Sequence, residues 1–198
     1  MNYTDAIKKY IDLEISILQK LNIYEINTVM KELESARQRG SFIYVMGNGG
    51  SAATASHFAN DFNKGLSEHI TPKFNFVCLN DNMATVMAVA NDIGYDSVFE
   101  FQLRGKVKPN DVVIGISGSG NSKNVLNAIE LSKKEDALTI GLTGFDGGKL
   151  REMVDISLHV PVKSMQVTED IHMIFDHLMM SVFYKEICGI EHLKDAVS

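Results

Sequence analysis

The chain has 198 residues, 45% of them hydrophobic and 22% charged, which is enough for one compact domain to bury roughly two-thirds of its unfolded surface. The net charge is −6 and the 19 basic residues form no run, which argues against a nucleic-acid-binding or membrane-binding surface. Charges interrupt every apolar stretch, the N-terminus has no apolar signal segment and the two cysteines are widely separated, so we expect a cytoplasmic protein with reduced thiols.

Two helices are predicted before residue 40. Over residues 4–39 apolar residues recur at helical spacing, with an interruption around residues 22–25. In the first helix these residues stand at wide, partly heptad-like intervals, which favours packing against another subunit. We therefore expect residues 1–40 to take part in oligomerisation.

After residue 40 the pattern changes to short apolar runs separated by helical stretches. Such runs are typical of buried strands, and their alternation with helices indicates a parallel sheet covered on both faces. A long helix over residues 168–187 comes last. The predicted architecture is a single α/β domain over residues 1–198, a three-layer sandwich with a sheet of about five strands. The predicted strands are residues 42–46, 74–79, 112–116, 138–142 and 156–160.

A loop rich in glycine and serine follows the third predicted strand, where residues 117–122 read SGSGNS. Its three hydroxyls, with the backbone N–H groups at the start of the next helix, are suited to binding a phosphate group. The carboxyl ends of parallel strands are also where open α/β sheets bind ligands. The structural alternative is an ordinary turn with a serine helix cap. The candidates are Ser117, Gly118, Ser119 and Ser122.

A similar loop follows the first predicted strand, where residues 47–52 read GNGGSA and match the dinucleotide pattern G-x-G-x-x-A. The acidic residue that would hold a ribose, Asp81, comes later than that pattern requires, which disfavours a dinucleotide-dependent oxidoreductase. No lysine follows the glycines as it does in a P-loop.

His57 and Asp61 lie four residues apart on a helix predicted over residues 52–64, so their side chains share one face. A histidine and an aspartate at this spacing can bind a metal ion or transfer protons. The same pair also occurs as a simple surface ion pair, and spacing alone leaves both interpretations open.

The last helix is apolar nearly all round, so we expect it to be buried. It nevertheless contains Glu169, Asp170, His172, Asp176 and His177. Ionisable groups in an interior need a partner or a function. For His172 and Asp176 we expect an oligomer interface or a solvent-filled cleft.

Three motifs, GNGGSAATASHFAND, ISGSGNSKNVLNAIELSKK and EDIHMIFDH, resemble in order and spacing those of the phosphoheptose isomerases, a branch of the SIS (sugar isomerase) domain proteins. The resemblance covers nearly the whole chain, including the NDIGY segment at 91–95. It implies the SIS fold and an enzyme that converts sedoheptulose 7-phosphate into D-glycero-D-manno-heptose 7-phosphate for surface glycans. It also implies a homotetramer and a zinc ion in each subunit.

Residue by residue, the resemblance implies that Asn48, Gly49 and Ser51 bind the phosphate together with the SGSGNS loop. It assigns the acid/base roles to Asp61 and His177, and it adds His57 and Glu169 to these two as metal ligands.

Two of these positions depart from the family pattern. Aspartate stands at 61 where glutamate is usual, and glutamate at 169 where glutamine is usual. Because Glu169 can ionise, it can share the role of base with Asp61 or strengthen the metal site. The predicted ligands are then two imidazoles and two carboxylates, a set that suits Zn²⁺ better than Mg²⁺.

The competing hypothesis is a non-catalytic SIS protein that binds a sugar phosphate and regulates a protein partner. That hypothesis predicts the loss of the acid/base residues. Ionisable side chains remain here at all four positions, which favours the enzyme.

Overall fold

The computed structural model describes residues 1–191, and its centre is a parallel sheet of five strands. These are β1 (Ile43–Gly47), β2 (Phe76–Cys78), β3 (Val112–Ser117), β4 (Leu138–Thr143) and β5 (Ile156–His159). Their order across the sheet is β2-β1-β3-β4-β5. Ile43 pairs with Phe76 on one side and with Val112 on the other. Every strand lies where the sequence pattern predicts it, so the α/β class is confirmed.

Helices cover both faces of the sheet. Those in the described part of the chain are α1 (Thr4–Leu18), α2 (Ile23–Arg39), α3 (Gly50–Asn60), α4 (Met83–Asp92), α5 (Glu100–Leu103), α6 (Lys123–Lys134), α7 (Gly148–Met153) and α8 (Met165–Glu186). Within residues 1–191 none of them combines the length and hydropathy needed to cross a bilayer.

Each face of the sheet has its own hydrophobic core, because successive residues of a strand point to opposite faces. Ile43 and Val45 of β1 pack with α2, α3 and α8. Tyr44 and Met46 of the same strand pack with α4 to α7. The predicted three-layer arrangement is confirmed.

Helix α1 lies largely outside both cores. Ile17 is its buried residue, whereas Ile7 and Ile11 are 58% and 50% exposed. The hydroxyl of Tyr10 donates a hydrogen bond to the carboxylate of Asp170, which attaches α1 to α8. The apolar stripe of α1 is therefore left uncovered by residues 1–191, and its partner in another subunit stays a prediction.

Helix α8 buries one face, and the prediction that it is buried all round is wrong for the single chain. The buried face includes Ile171, Phe175 and Met179, which pack towards the sheet. On the opposite side Asp170 and His177 are exposed, and near the end of the helix Val182 is 39% exposed.

The predicted helix over residues 52–64 is α3 followed directly by a π-helical turn, Asp61–Leu66. In this turn Phe62 is buried, with its ring centroid 4.6 Å from that of Phe76. Gly65 of this turn faces α8, where an added Cβ would lie 2.5 Å from the flexible terminal methyl group of Met180. Isolated π-helical turns are frequent at functional sites, and Asp61 is the first residue of this one.

Candidate active site

The two glycine-rich loops meet at the carboxyl ends of the neighbouring strands β1 and β3, where they line one pocket of about 280 Å³. All the residues predicted to bind phosphate line this pocket, namely Asn48, Gly49, Ser51, Ser117, Gly118, Ser119 and Ser122. A larger pocket of about 410 Å³ lies at the amino ends of the strands, on the opposite side of the sheet from the loops. None of the predicted site residues lines it.

The SGSGNS loop is held by the turn that follows β4. Gly120 has a φ of 65°, and its carbonyl oxygen accepts a hydrogen bond of 2.9 Å from the N–H of Leu150. A Cβ on Gly120 would lie 1.9 Å from the carbonyl oxygen of Gly147, so glycine is required at this contact. The hydroxyl oxygens of Ser117 and Ser122 are 3.1 Å apart. The loop thus presents its serines from a fixed backbone.

An amide pair joins the first loop to α6. The side chains of Asn48 and Asn124 exchange two hydrogen bonds of 2.9 Å each, and the hydroxyl of Tyr95 donates to the Asn48 amide oxygen at 2.7 Å. Asn48 was predicted from the sequence, whereas Asn124 and Tyr95 were not. Both stand within motifs that carry the family resemblance, and this was the available signal. The Asn48 amide therefore fixes the spacing of the two loops.

Two helices begin at this pocket. Gly50 and Ser51 form the start of α3, and Ser122 immediately precedes α6. The free N–H groups and the dipoles of these helix ends favour a negative charge. Among the lining residues that the structure describes, Glu169 alone is ionisable. The pocket is thus suited to a small anion that is bound without lysine or arginine.

Glu169 lies in this anion pocket. Its carboxylate is next to Gly50, where an added Cβ would lie 2.5 Å from Oε2 of the glutamate. In this position the carboxylate is close to the amino end of α3. The family resemblance predicts Glu169 as a metal ligand, but Glu169 is not a member of the group of possible ligands that the structure brings together.

That group lies between α3 and α8 and consists of His57, Asp61, Asp176 and His177, which we call the histidine–aspartate cluster. The Nε2 atoms of the two histidines are 3.0 Å apart. The Nε2 of His57 lies 3.3 Å from Oδ2 of Asp61 and 3.9 Å from Oδ2 of Asp176. The Nε2 of His177 lies 4.0 Å from Oδ2 of Asp61. Three of the four predicted metal ligands are therefore close together.

Asp176 is fully buried, and neither of its carboxylate oxygens has a hydrogen-bond partner among the described residues. Burial, together with the nearby carboxylate of Asp61, raises the pKa of Asp176 to about 8. An ionised carboxylate in such a place costs several kcal/mol unless a proton or a cation compensates its charge. The expectation that Asp176 faces an interface or an open cleft is wrong.

His172 is also buried inside the chain, so the same expectation is wrong for it. Its Nε2 lies 3.3 Å from the carbonyl oxygen of Thr143. Burial lowers the pKa of His172 to about 4, so the imidazole is neutral at pH 7. A neutral ring next to a backbone carbonyl indicates a structural role.

The anion pocket and the histidine–aspartate cluster lie along the same two helices. Gly50 and His57 are seven residues apart on α3, and Glu169 and His177 are eight residues apart on α8. These separations correspond to about 10 and 12 Å along the helix axes. The two places are therefore separated by about 10–12 Å along these helices.

The SIS domain family model matches residues 3–144, so the fold and the serine loop are those of a SIS domain protein. A phosphoheptose isomerase from Sulfurimonas denitrificans is 36% identical over 191 residues, which cover 92% of this chain and 97% of the relative. On these grounds the chain belongs to the phosphoheptose isomerase family.

Solved structures agree with this assignment. A phosphoheptose isomerase from Francisella tularensis has a TM-score of 0.86 at 27% identity, covering 94% of this chain and 100% of its own. One from Neisseria gonorrhoeae has a TM-score of 0.84 at 29% identity, covering 91% and 98%.

Proposed function

We propose that the chain is an aldose–ketose isomerase that converts sedoheptulose 7-phosphate into D-glycero-D-manno-heptose 7-phosphate. Membership of the phosphoheptose isomerase family supports the reaction class. The observation that carries the proposal is the spacing of the anion pocket and the histidine–aspartate cluster, about 10–12 Å along α3 and α8.

This spacing agrees with the length of a seven-carbon sugar phosphate. The reacting carbons, C1 and C2, lie at the opposite end of the substrate from the phosphate. With C–C bonds of about 1.5 Å, the extended chain from C1 to phosphorus spans about 10 Å. A phosphate in the anion pocket therefore brings C1 and C2 close to His57, Asp61 and His177. A triose phosphate, which spans about half that distance, is too short.

The anion pocket supplies binding energy at a distance from the reacting carbons. The serine hydroxyls and the N–H groups of two helix ends donate hydrogen bonds to the phosphate oxygens. Because the loops are held rigidly by the Asn48–Asn124 pair and by the Gly120 turn, this energy can orient C1 and C2.

Isomerisation moves one proton between C1 and C2 and a second between their oxygens, through an enediol. We assign the carbon-bound proton to Asp61, whose carboxylate accepts it from one carbon and returns it to the other. We assign the second proton to His177 when its Nε2 is not bound to a metal ion, and both groups then end in their starting state. Asp61 is preferred to Glu169 as the base because the carboxylate of Glu169 lies in the anion pocket.

The cluster also fits a divalent cation, and we propose one zinc ion per subunit. Imidazole nitrogens and carboxylate oxygens are ligands that Zn²⁺ accepts in a tetrahedral site. The buried oxygens of Asp176 accept no hydrogen bond from residues 1–191, which supports this proposal because a cation would compensate their charge. His57, Asp61 and His177 would hold the ion. When bound, it would polarise the sugar carbonyl and stabilise the enediolate oxygen.

We also propose a homotetramer in the cytoplasm, whose product is used for the activated heptoses of surface glycans. The exposed apolar stripe on α1, with Ile7 and Ile11, supports oligomerisation. The two free cysteines support a reducing compartment.

The test is an isomerase assay on sedoheptulose 7-phosphate alongside shorter phosphorylated ketoses. Turnover of the seven-carbon substrate that falls at least about 100-fold in Asp61→Asn supports the proposal. Asp170→Asn is the matched control, since Asp170 binds Tyr10 of α1 and does not line the pocket. Tight binding of the substrate without any turnover would favour the non-catalytic regulator.

A further inference from the structure

We infer that Asp176 is the fourth ligand of the metal site, in the place that the family resemblance gives to Glu169. The inference rests on the proposed function for the presence of a metal ion. The proposed function names three ligands, and the inference adds the side chain of α8 that completes the site.

The first argument is the geometry of the histidine–aspartate cluster. A tetrahedral zinc ion with ligand distances of about 2.0–2.1 Å holds its ligand atoms about 3.4 Å apart. Four of the separations in the cluster are 3.0, 3.3, 3.9 and 4.0 Å, which scatter about this value. All four ligand atoms, including one from Asp176, lie within 4.8 Å of one another. Small side-chain rotations suffice to surround an ion.

The second argument is the surroundings of Asp176. Its side chain is 0% exposed, and no described residue donates a hydrogen bond to either oxygen. Its Oδ2 is 3.9 Å from the Nε2 of His57, so the carboxylate is directed at the other ligands. Native proteins rarely leave a buried carboxylate without a partner, and a bound cation supplies the missing partner here.

The third argument is the position of Glu169. Its carboxylate lies against Gly50 in the anion pocket and is outside the ligand group. Exchanging Glu169 for Asp176 leaves two imidazoles and two carboxylates, so the preference for zinc and the ligand charge are unchanged. The two assignments therefore differ in one observable, which is the variant that loses the metal.

The experiment measures zinc affinity of the full chain by competition with a chromophoric chelator, for the wild type, Asp176→Asn and Glu169→Gln. Both variants remove one negative charge from α8, so they are matched. Removing a residue that only hydrogen-bonds to a metal ligand typically lowers the affinity for the metal about 10- to 100-fold. We expect Asp176→Asn to lower the zinc affinity by at least this factor. Glu169→Gln should bind zinc within about threefold of the wild type, since a charge about 10 Å away is largely screened.

Cobalt(II) provides a second readout that does not depend on activity. The visible absorption of the cobalt-substituted protein should change in Asp176→Asn and stay the same in Glu169→Gln. Loss of zinc in Glu169→Gln but not in Asp176→Asn, or equal loss in both, overturns the inference. A wild-type chain that binds no zinc when zinc is supplied overturns it as well.

The isomerase assay is independent of these measurements. Turnover by a chain that binds no zinc would overturn the inference about Asp176 and leave the proposed reaction standing. Circular dichroism checks that each variant is folded. If Asp176→Asn does not fold, Asp176→Leu replaces it, because leucine places no polar atom in the buried position.

Discussion

Replacing Gly120 by alanine tests whether the serine loop is held by close packing against the turn after β4. A Cβ at Gly120 would lie 1.9 Å from the carbonyl oxygen of Gly147 and 3.0 Å from the Cα of Gly148. The left-handed backbone costs alanine about 1–2 kcal/mol, and displacing the neighbouring turn adds about 1–3 kcal/mol, as in other overpacked sites. We expect the free energy of unfolding to fall by about 2–5 kcal/mol. Phosphate binding should weaken too, because Ser119 and Ser122 move with the loop.

Gly105→Ala is the matched control for this change. Gly105 has a φ of 72°, yet nothing lies within 4 Å of its Cβ position, so only the backbone cost of about 1–2 kcal/mol remains. Urea unfolding followed by circular dichroism gives the free energies of both variants, and titration calorimetry gives their affinity for inorganic phosphate. If the two variants are equally destabilised, the contact with Gly147 costs nothing and the reasoning is refuted.

Three further predictions test the pocket, the assembly and the core. Ser119→Ala should bind a phosphate ester at least about tenfold more weakly, since a hydrogen bond to a charged group is worth about 1.5–3 kcal/mol; unchanged affinity in calorimetry would mean that the loop is misassigned. Light scattering should give about four times 21.9 kDa, whereas a clean monomer would contradict the assembly. The pKa of His172 is lowered from 6.5 to about 4, so between these pH values the unfolded chain takes up a proton that the buried ring does not. The free energy of unfolding should therefore be unaffected above pH 6.5 and should fall by about 3 kcal/mol as the pH drops from 6.5 to 4. His172→Gln should therefore show a smaller fall in its urea midpoint over that range, and an equal fall would show that His172 is not the titrating group.

The strands and the two loops could be predicted because their signals are local. A parallel strand is buried on both faces and appears as a continuous apolar run, as at Val112–Ser117. The loops follow such runs directly, and the topology of parallel strands brings their carboxyl ends to one edge. The sequence alone therefore predicts that the GNGGSA and SGSGNS loops meet in one pocket.

The role of Asp176 could not be predicted in this way. A helix that is apolar nearly all round gives no indication of which face is buried, so Asp176 and His177 were indistinguishable by periodicity. Their surroundings are set by how α8 packs on α3 and on the π-helical turn that follows α3. This packing leaves the Asp176 side chain 0% exposed and that of His177 55% exposed.

The position of Glu169 makes a final prediction about anion binding. Its carboxylate is the one ionisable group among the described residues that line the anion pocket, and it lies at the amino end of α3, where a phosphate would also be favoured. Two charges roughly 6 Å apart repel by about 0.7–3 kcal/mol for effective dielectric constants between 80 and 20. Glu169→Gln should therefore bind inorganic phosphate at least about threefold more tightly in calorimetry, and the gain should shrink in 1 M salt. Asp170→Asn removes the same charge from the adjacent position, where the side chain binds Tyr10 outside the pocket, so its affinity should stay within about twofold of the wild type. If Glu169→Gln binds phosphate more weakly, the carboxylate accepts a hydrogen bond from the ligand instead of repelling it, and the electrostatic argument fails.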